Sequence, residues 1–223
     1  MVRYQGRSRY TTTIPNKPIP TGFKIWGIAQ NGFLLSWNWH VPSAQNGPIQ
    51  VKTPKELGGT KAGKGGNKTQ AVALKLAGQL PRGGSGYHLF LDNLFVSTRF
   101  VQYARSKGIS ITGTCRTNSG IIQSLLDLKK SDKDDHIPWG QVYSFPTPNR
   151  EVCHIGWKDQ AFVLFMSSVF DQSGVVSRVR KRIPVVADKY NHQMGAVDEF
   201  DHLTSQNPGL QLVRRGGGQA LEH

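Results

Sequence analysis

Apolar and polar residues alternate along this chain with two periods, and the changes of period divide it into elements. Tyr87-His88-Leu89-Phe90-Leu91 is a short apolar run that stops at Asp92. A run of that length bounded by polar residues predicts a strand buried in an α/β sheet. Its end lies at the sheet's rim, where open α/β folds bind ligands. Upstream, residues 23–29 and 33–41 are apolar runs separated by Gln30-Asn31-Gly32, and Asn-Gly in that position predicts a hairpin. Residues 68–80 are helical in period, with Val72, Leu76 and Leu80 on one face and Ala73 and Ala77 alongside. A second helical pattern covers 95–107, and a β-branched run over 109–117 closes at Asn118-Ser119-Gly120. Residues 141–146, 152–157 and 162–169 predict a meander of strands. A last helix falls within 183–203, its start blurred by Pro184 and Gly195.

The connections are polar. Pro15, Pro18 and Pro20 keep the lead-in extended. Residues 44–66 and 129–136 are expected to be flexible, exposed loops, and 207–223 a tail, all within one domain spanning 1–223. Trp26, Trp37, Trp39 and Trp157 sit in or beside apolar runs and are expected in the core. His40, His88, His154 and His192 share no metal-binding spacing and read as structural. A hairpin, a helix, a strand, then further helices and strands make an α/β or α+β layer fold, with no internal repeat.

Charge adds a direction. The 28 Lys and Arg outweigh 14 acids, a formal +14. Residues 1–91 hold twelve of those cations and one acid, Glu56. Such a field suits a polyanion, and nucleic acid is the usual one, the other reading being a solvated surface. No apolar run approaches the ~20 residues of a membrane span, so no membrane partner is expected. Arg3, Arg7 and Arg9 leave the start without a signal-peptide centre. Cys115 and Cys153 are too few for a disulfide framework or a cysteine zinc site, so a reducing intracellular compartment is expected.

Candidate chemistry rests on carboxylates. Asp92 at a strand end is either a cap for the next helix or a metal ligand. Asp198 and Asp201, three apart, share a helix face with Asn191 and Met194 upstream. They form either a solvated acidic face or half of a divalent-cation site, of the kind that clamps a phosphodiester between two ions. Gly58-Gly59-Thr60-Lys61-Ala62-Gly63-Lys64-Gly65 approaches a phosphate-binding loop, but Gly65 stands where Ser or Thr would reach Mg²⁺ and no apolar strand precedes it. Lys61, Lys64 and Lys68 therefore read as contacts to a DNA backbone or as a plain surface loop. Arg178-Val179-Arg180-Lys181-Arg182 reads as a nuclear-import or phosphate-contact cluster, or as a solvated run.

Several segments together resemble piggyBac-type transposases. Phe90-Leu91-Asp92-Asn93-Leu94-Phe95-Val96-Ser97 resembles the family's second-acid motif, and Gly113-Thr114-Cys115-Arg116-Thr117-Asn118 the strand and turn after it. Tyr190-Asn191 with Met194-Gly195-Ala196-Val197-Asp198-Glu199-Phe200-Asp201 resembles the third-acid segment. Pro15-Asn16-Lys17-Pro18 and Gly22-Phe23-Lys24-Ile25-Trp26 resemble the lead-in to the first catalytic strand. The likeness runs in order from about Arg3 to Leu203 and is nearest to fungal-type members, through Asn207-Pro208-Gly209-Leu210 and Arg214-Arg215-Gly216-Gly217.

The resemblance implies an RNase H-like mixed sheet flanked by helices, incomplete at its ends, in a nuclear protein that binds DNA and is able to form a homodimer. It implies three acids holding Mg²⁺ for strand cleavage and transfer. Asp92 matches the second acid, Asp198 the third, and Asp201 an additional acid near the metal. The first-acid position is Gln30. No aspartate precedes Asp92. An amide offers an oxygen but no negative charge, and losing one electrostatic element of such a site costs ~10²–10³ in rate. The expectation is a transposase-derived domain impaired as a nuclease. The alternative is a non-catalytic DNA-binding module or relic. Nothing resembles the family's N-terminal region or its cysteine-rich module, so both ends are expected to be truncated.

Overall fold

The structure is a computed structural model. It describes residues 1–206 except 5, 16, 18, 43–46, 58–67, 82–85, 133–136, 172–174 and 179–180, and the backbone alone at 175–178, 181–182 and 205. In chain order the elements are β1 (Val2–Arg3), β2 (Thr12–Thr13), β3 (Thr21–Phe23), β4 (Ile25–Gln30), β5 (Phe33–Val41), β6 (Gly47–Pro48) and α1 (Lys68–Gly78). There follow β7 (Tyr87–Leu91), α2 (Thr98–Ser106), β8 (Ile109–Thr114), α3 (Gln123–Ser131), β9 (Val142–Pro146), β10 (Cys153–Lys158) and β11 (Phe162–Ser167). The hairpin β12 (Val175–Arg178) and β13 (Lys181–Pro184) leads into α4 (Val185–Gln193) and α5 (Ala196–Gln206).

A mixed five-stranded sheet of order β7-β8-β11-β10-β9 forms the centre. The pair β7–β8 is parallel, joined through α2, and the rest is antiparallel. Alternation along β11 sends Phe162, Leu164 and Met166 to one face, where they pack with Phe100, Val101, Ala104 and Leu125. Phe165 turns to the other face and joins Ile155, Trp157, Val186 and Tyr190. Helices thus cover both sides, as a sheet with near-continuous apolar strands requires. The fold is the expected mixed sheet flanked by helices.

The first hairpin forms where the Asn-Gly signal placed it, but β4, β5 and β6 make a separate antiparallel sheet. Its inner side meets α1. There the strand presents polar residues: Ser36 Oγ donates to Gln79 Oε1 at 2.6 Å, and Asn38 Nδ2 to the Ile49 carbonyl at 2.9 Å. Two-residue alternation then drives Trp37 and Trp39 outward, and a bulge at Leu35 shifts the register before Leu34 and Phe33. The expectation that all four tryptophans lie inside is therefore corrected for Trp37 and Trp39, which are 47% and 39% exposed. Trp157 is buried, and Trp26 is half-buried against Phe95.

Three further differences have physical reasons. Residues 129–132 are not an exposed loop, because α3 runs to Ser131 and Asp132 pairs with the buried Lys158 at 2.7 Å. The last helix is two: α4 ends at Gln193 with Met194 as its cap, and α5 starts afresh with Glu199 N–H on the Gly195 carbonyl. Asn191 and Met194 therefore do not continue the face of Asp198. Among the described residues no helix is long and apolar enough to cross a membrane.

Buried imidazoles give the core a pH dependence. Ile122 N–H donates to His154 Nδ1 at 3.1 Å, so neutral His154 carries its proton on Nε2 and donates to Thr98 Oγ1 at 3.0 Å. Burial lowers the pKa of His154, and likewise that of His88 beside Thr112. Both groups are thus disfavoured as cations in the folded state. Their contribution to stability is complete above the unfolded value of ~6.5 and is lost as pH falls below it. His154→Gln, whose amide can accept from Ile122 and donate to Thr98, is expected to flatten the fall of Tm between pH 7.5 and 5. An unchanged slope would show that this imidazole is not a source of the dependence.

Candidate functional site

The candidate residues lie at the ends of β4 and β7 and on α5. Gln30 closes β4 opposite Phe33, across a turn whose residues Asn31 and Gly32 have φ of 48° and 76°. Two positive φ values match the strand twist of a tight hairpin. Gly32 is required twice over, since a Cβ there would stand 2.9 Å from Leu203 Cδ1 and 3.2 Å from Glu199 Cγ. Helix α5 thus lies across the turn that follows Gln30, and it packs on both β4 and β5. Asp198 and Glu199 occupy its first turn, where unpaired N–H groups favour carboxylates. Asp201, one turn on, has Oδ2 at 3.7 Å from the Met1 amino nitrogen. Gln30, Asp198 and Asp201 are all exposed.

Asp92 follows β7 directly. Its Oδ1 accepts from Asn93 N–H at 2.6 Å, and the Asp92 carbonyl accepts from Phe95 N–H at 3.0 Å, so the strand ends in a tight turn before α2. That turn is held from two sides. Buried Gln70 of α1 donates to the Phe95 carbonyl and to Ser97 Oγ, both at 2.8 Å, while Ser97 caps α2. Arg116 Nε donates to Asn93 Oδ1 at 3.1 Å. Across the end of β8, Tyr190 of α4 lies 3.3 Å from Thr114 Oγ1. Burial raises the Tyr190 pKa, and the charge of Asp92 adds to the rise.

Two helices flank these strands. Helix α5, with Asp198 and Asp201, covers the turn beside Gln30. Helix α4, with Tyr190, reaches the end of β8, the parallel partner of β7. Trp26 of β4, packed edge-on to Phe95 at 6.2 Å, ties the hairpin to the Asp92 turn. Among the described residues, however, no three His, Cys, Asp or Glu side chains are grouped to hold a metal ion. With an amide at position 30, the residues present do not fit a two-ion carboxylate site.

The basic candidates are scattered. Lys68 begins α1 and is exposed, whereas Lys61 and Lys64 lie outside the described residues. Arg178 and Lys181 face each other across the β12–β13 hairpin, Arg182 follows, and Arg180 lies outside the described residues. Sequence reasoning assigned no role to Gln70, Asn93, Arg116 or Tyr190, which build the surroundings of Asp92. The last three stand inside the quoted motif segments. Gln70 announces itself only as a polar residue on an otherwise apolar helix face.

The family model described as Transposase IS4 matches residues 1–214. The human PiggyBac transposable element-derived protein 2 is 26% identical over 217 residues, covering 90% of this chain and 33% of that protein. Among solved structures, the piggyBac transposase synaptic complex with hairpin DNA superposes with a TM-score of 0.67 at 19% identity, over 91% of this chain and 38% of that one. The chain thus spans about a third of the length of these relatives.

Proposed function

The chain belongs to the Transposase IS4 family in its piggyBac-type form, and we propose that it is a nuclear, DNA-binding transposase-derived domain impaired in metal-dependent strand cleavage. The observation that carries this reading is Gln30. It closes the strand that should deliver the first acid, beside the helix that bears Asp198 and Asp201. A divalent ion, when bound in such a family, would stabilise charge on the scissile phosphate. Here Asp92, Asp198 and Asp201 supply carboxylates without the partner that the amide replaces. What remains to the chain is positioning. Exposed Arg and Lys side chains neutralise backbone phosphates, and the turn held by Gln70, Ser97 and Arg116 keeps Asp92 at the sheet's rim.

Restoring the acid tests the reading. Gln30→Asp is expected to raise affinity for Mg²⁺ or Mn²⁺, measured by calorimetry and by metal-dependent gain in Tm, while the unmodified chain shows little of either. Equal metal response in both proteins contradicts the assignment of position 30. Gel-shift or anisotropy titration addresses the second reading, a DNA-binding module without catalysis. Its support is the +11 excess of residues 1–91. Retention on duplex DNA should then fall steeply between low and moderate salt as phosphate contacts release counterions, and salt-independent retention refutes it.

A further inference from the structure

The outward face of β5 is more apolar than its inward face, and this inversion needs an occupant. Trp37 and Trp39 meet edge-on at 5.1 Å, Trp39 meets Phe23 at 5.8 Å, and Phe23 meets Tyr4 at 4.8 Å. The four rings form a continuous ribbon from the hairpin onto the small sheet β1-β3-β2, and Tyr4, Trp37 and Trp39 are exposed along it. That small sheet and its turns carry Arg3, Arg7 and Arg9, all exposed. No acidic residue precedes Glu56 in the sequence. Beyond Trp37 the same face continues to Leu34, which lies beside Gly27, the partner of Trp37 in β4.

We propose that this ribbon is a stacking platform for unpaired nucleotides of single-stranded DNA. Exposed π faces suit bases of any sequence, and the exposed arginines of the adjoining small sheet and its turns suit the phosphates between them. Protein segments are the competing occupant of an exposed apolar face, but the exposed arginines of the adjoining sheet and the lack of any acid in the first 55 residues favour a polyanion. A strand lying on the ribbon runs from the arginine-bearing sheet towards the hairpin tip and α5. The inference rests on the reading above only in naming the polyanion as DNA, and it requires no metal.

The test uses the full chain in EDTA, so its outcome is separable from that of the metal experiment. Oligothymidylate is titrated against an equal length of duplex. Oligothymidylate should quench tryptophan emission and shield it from acrylamide. Trp37→Ala and Trp39→Ala should each weaken the single strand by about tenfold, with duplex affinity nearly unchanged. Trp37→Phe and Trp39→Phe should retain most of the binding. Absence of quenching and shielding in the unmodified chain overturns the proposal without any variant, so a misfolded variant does not rescue it. Equal losses on single strand and duplex also overturn it. So does a change in sedimenting mass with oligonucleotide affinity unaltered, which would make the face a protein interface.

Discussion

Asp132→Ala is expected to lower stability by about 3–5 kcal/mol, the usual result of leaving one partner of a buried ion pair alone. Asp132 and Lys158 are each about 10% exposed at the side chain, with Oδ1 and Nζ 2.7 Å apart. Asp132 Oδ2 also accepts from Phe162 N–H at 3.1 Å, so the carboxylate ties the end of α3 to the start of β11. Its removal therefore strands a cation and frees a buried donor. For a chain of this size the Tm should fall by on the order of 10 °C. Asp132→Asn, which keeps one oxygen to accept from a single partner, should cost less than Asp132→Ala. Pairing Asp132→Ala with Lys158→Met should recover most of the loss, because an apolar pair avoids the desolvation of two charges. If the double variant is as unstable as the single one, packing rather than charge explains the site.

Gly113→Ala is the second large effect, expected at about 3 kcal/mol or more from overpacking. Gly113 pairs with Leu91 in the parallel β7–β8 ladder. A Cβ at Gly113 would stand 2.1 Å from the Leu91 carbonyl oxygen and 2.8 Å from Val96 Cγ2. The obstacle is backbone, which cannot swing aside as a side chain can. The end of β7 must shift, and Asp92 shifts with it. Gly78→Ala is the control, since nothing lies within 4 Å of its Cβ position and little change is expected. Chemical denaturation of both variants checks the contrast, and amide exchange at Leu91–Asn93 should quicken only for Gly113→Ala.

The elements were largely legible because each rests on local chemistry. Asn31-Gly32 announced its hairpin through positive φ, and Tyr87–Leu91 its buried strand through an unbroken apolar run. Helix α2 was read three residues early, since Phe95 continues its apolar period. In the structure Phe95 belongs to the turn closed on Asp92, and Ser97 caps the helix that begins at Thr98. Helix α3 was missed: it spans only Gln123–Ser131, and only Leu125 is buried along it. The family resemblance, carried by the residues around Asp92 and Asp198, agrees with the Transposase IS4 match over residues 1–214.

Period and turn chemistry act over a few residues, so the order of elements, the aspartates at their ends and the glutamine at position 30 could all be read from the chain. Which face of β5 turns inward could not. Alternation defines two faces but not which one meets α1, and here the polar face is satisfied by Gln79 and the Ile49 carbonyl. Nor could the separation of the first hairpin from the five-stranded sheet, the burial of Asp132 with Lys158, or the seating of α5 over Gly32 be read locally. Each depends on residues far apart in sequence meeting in space, and the free energy of those meetings belongs to the packed whole.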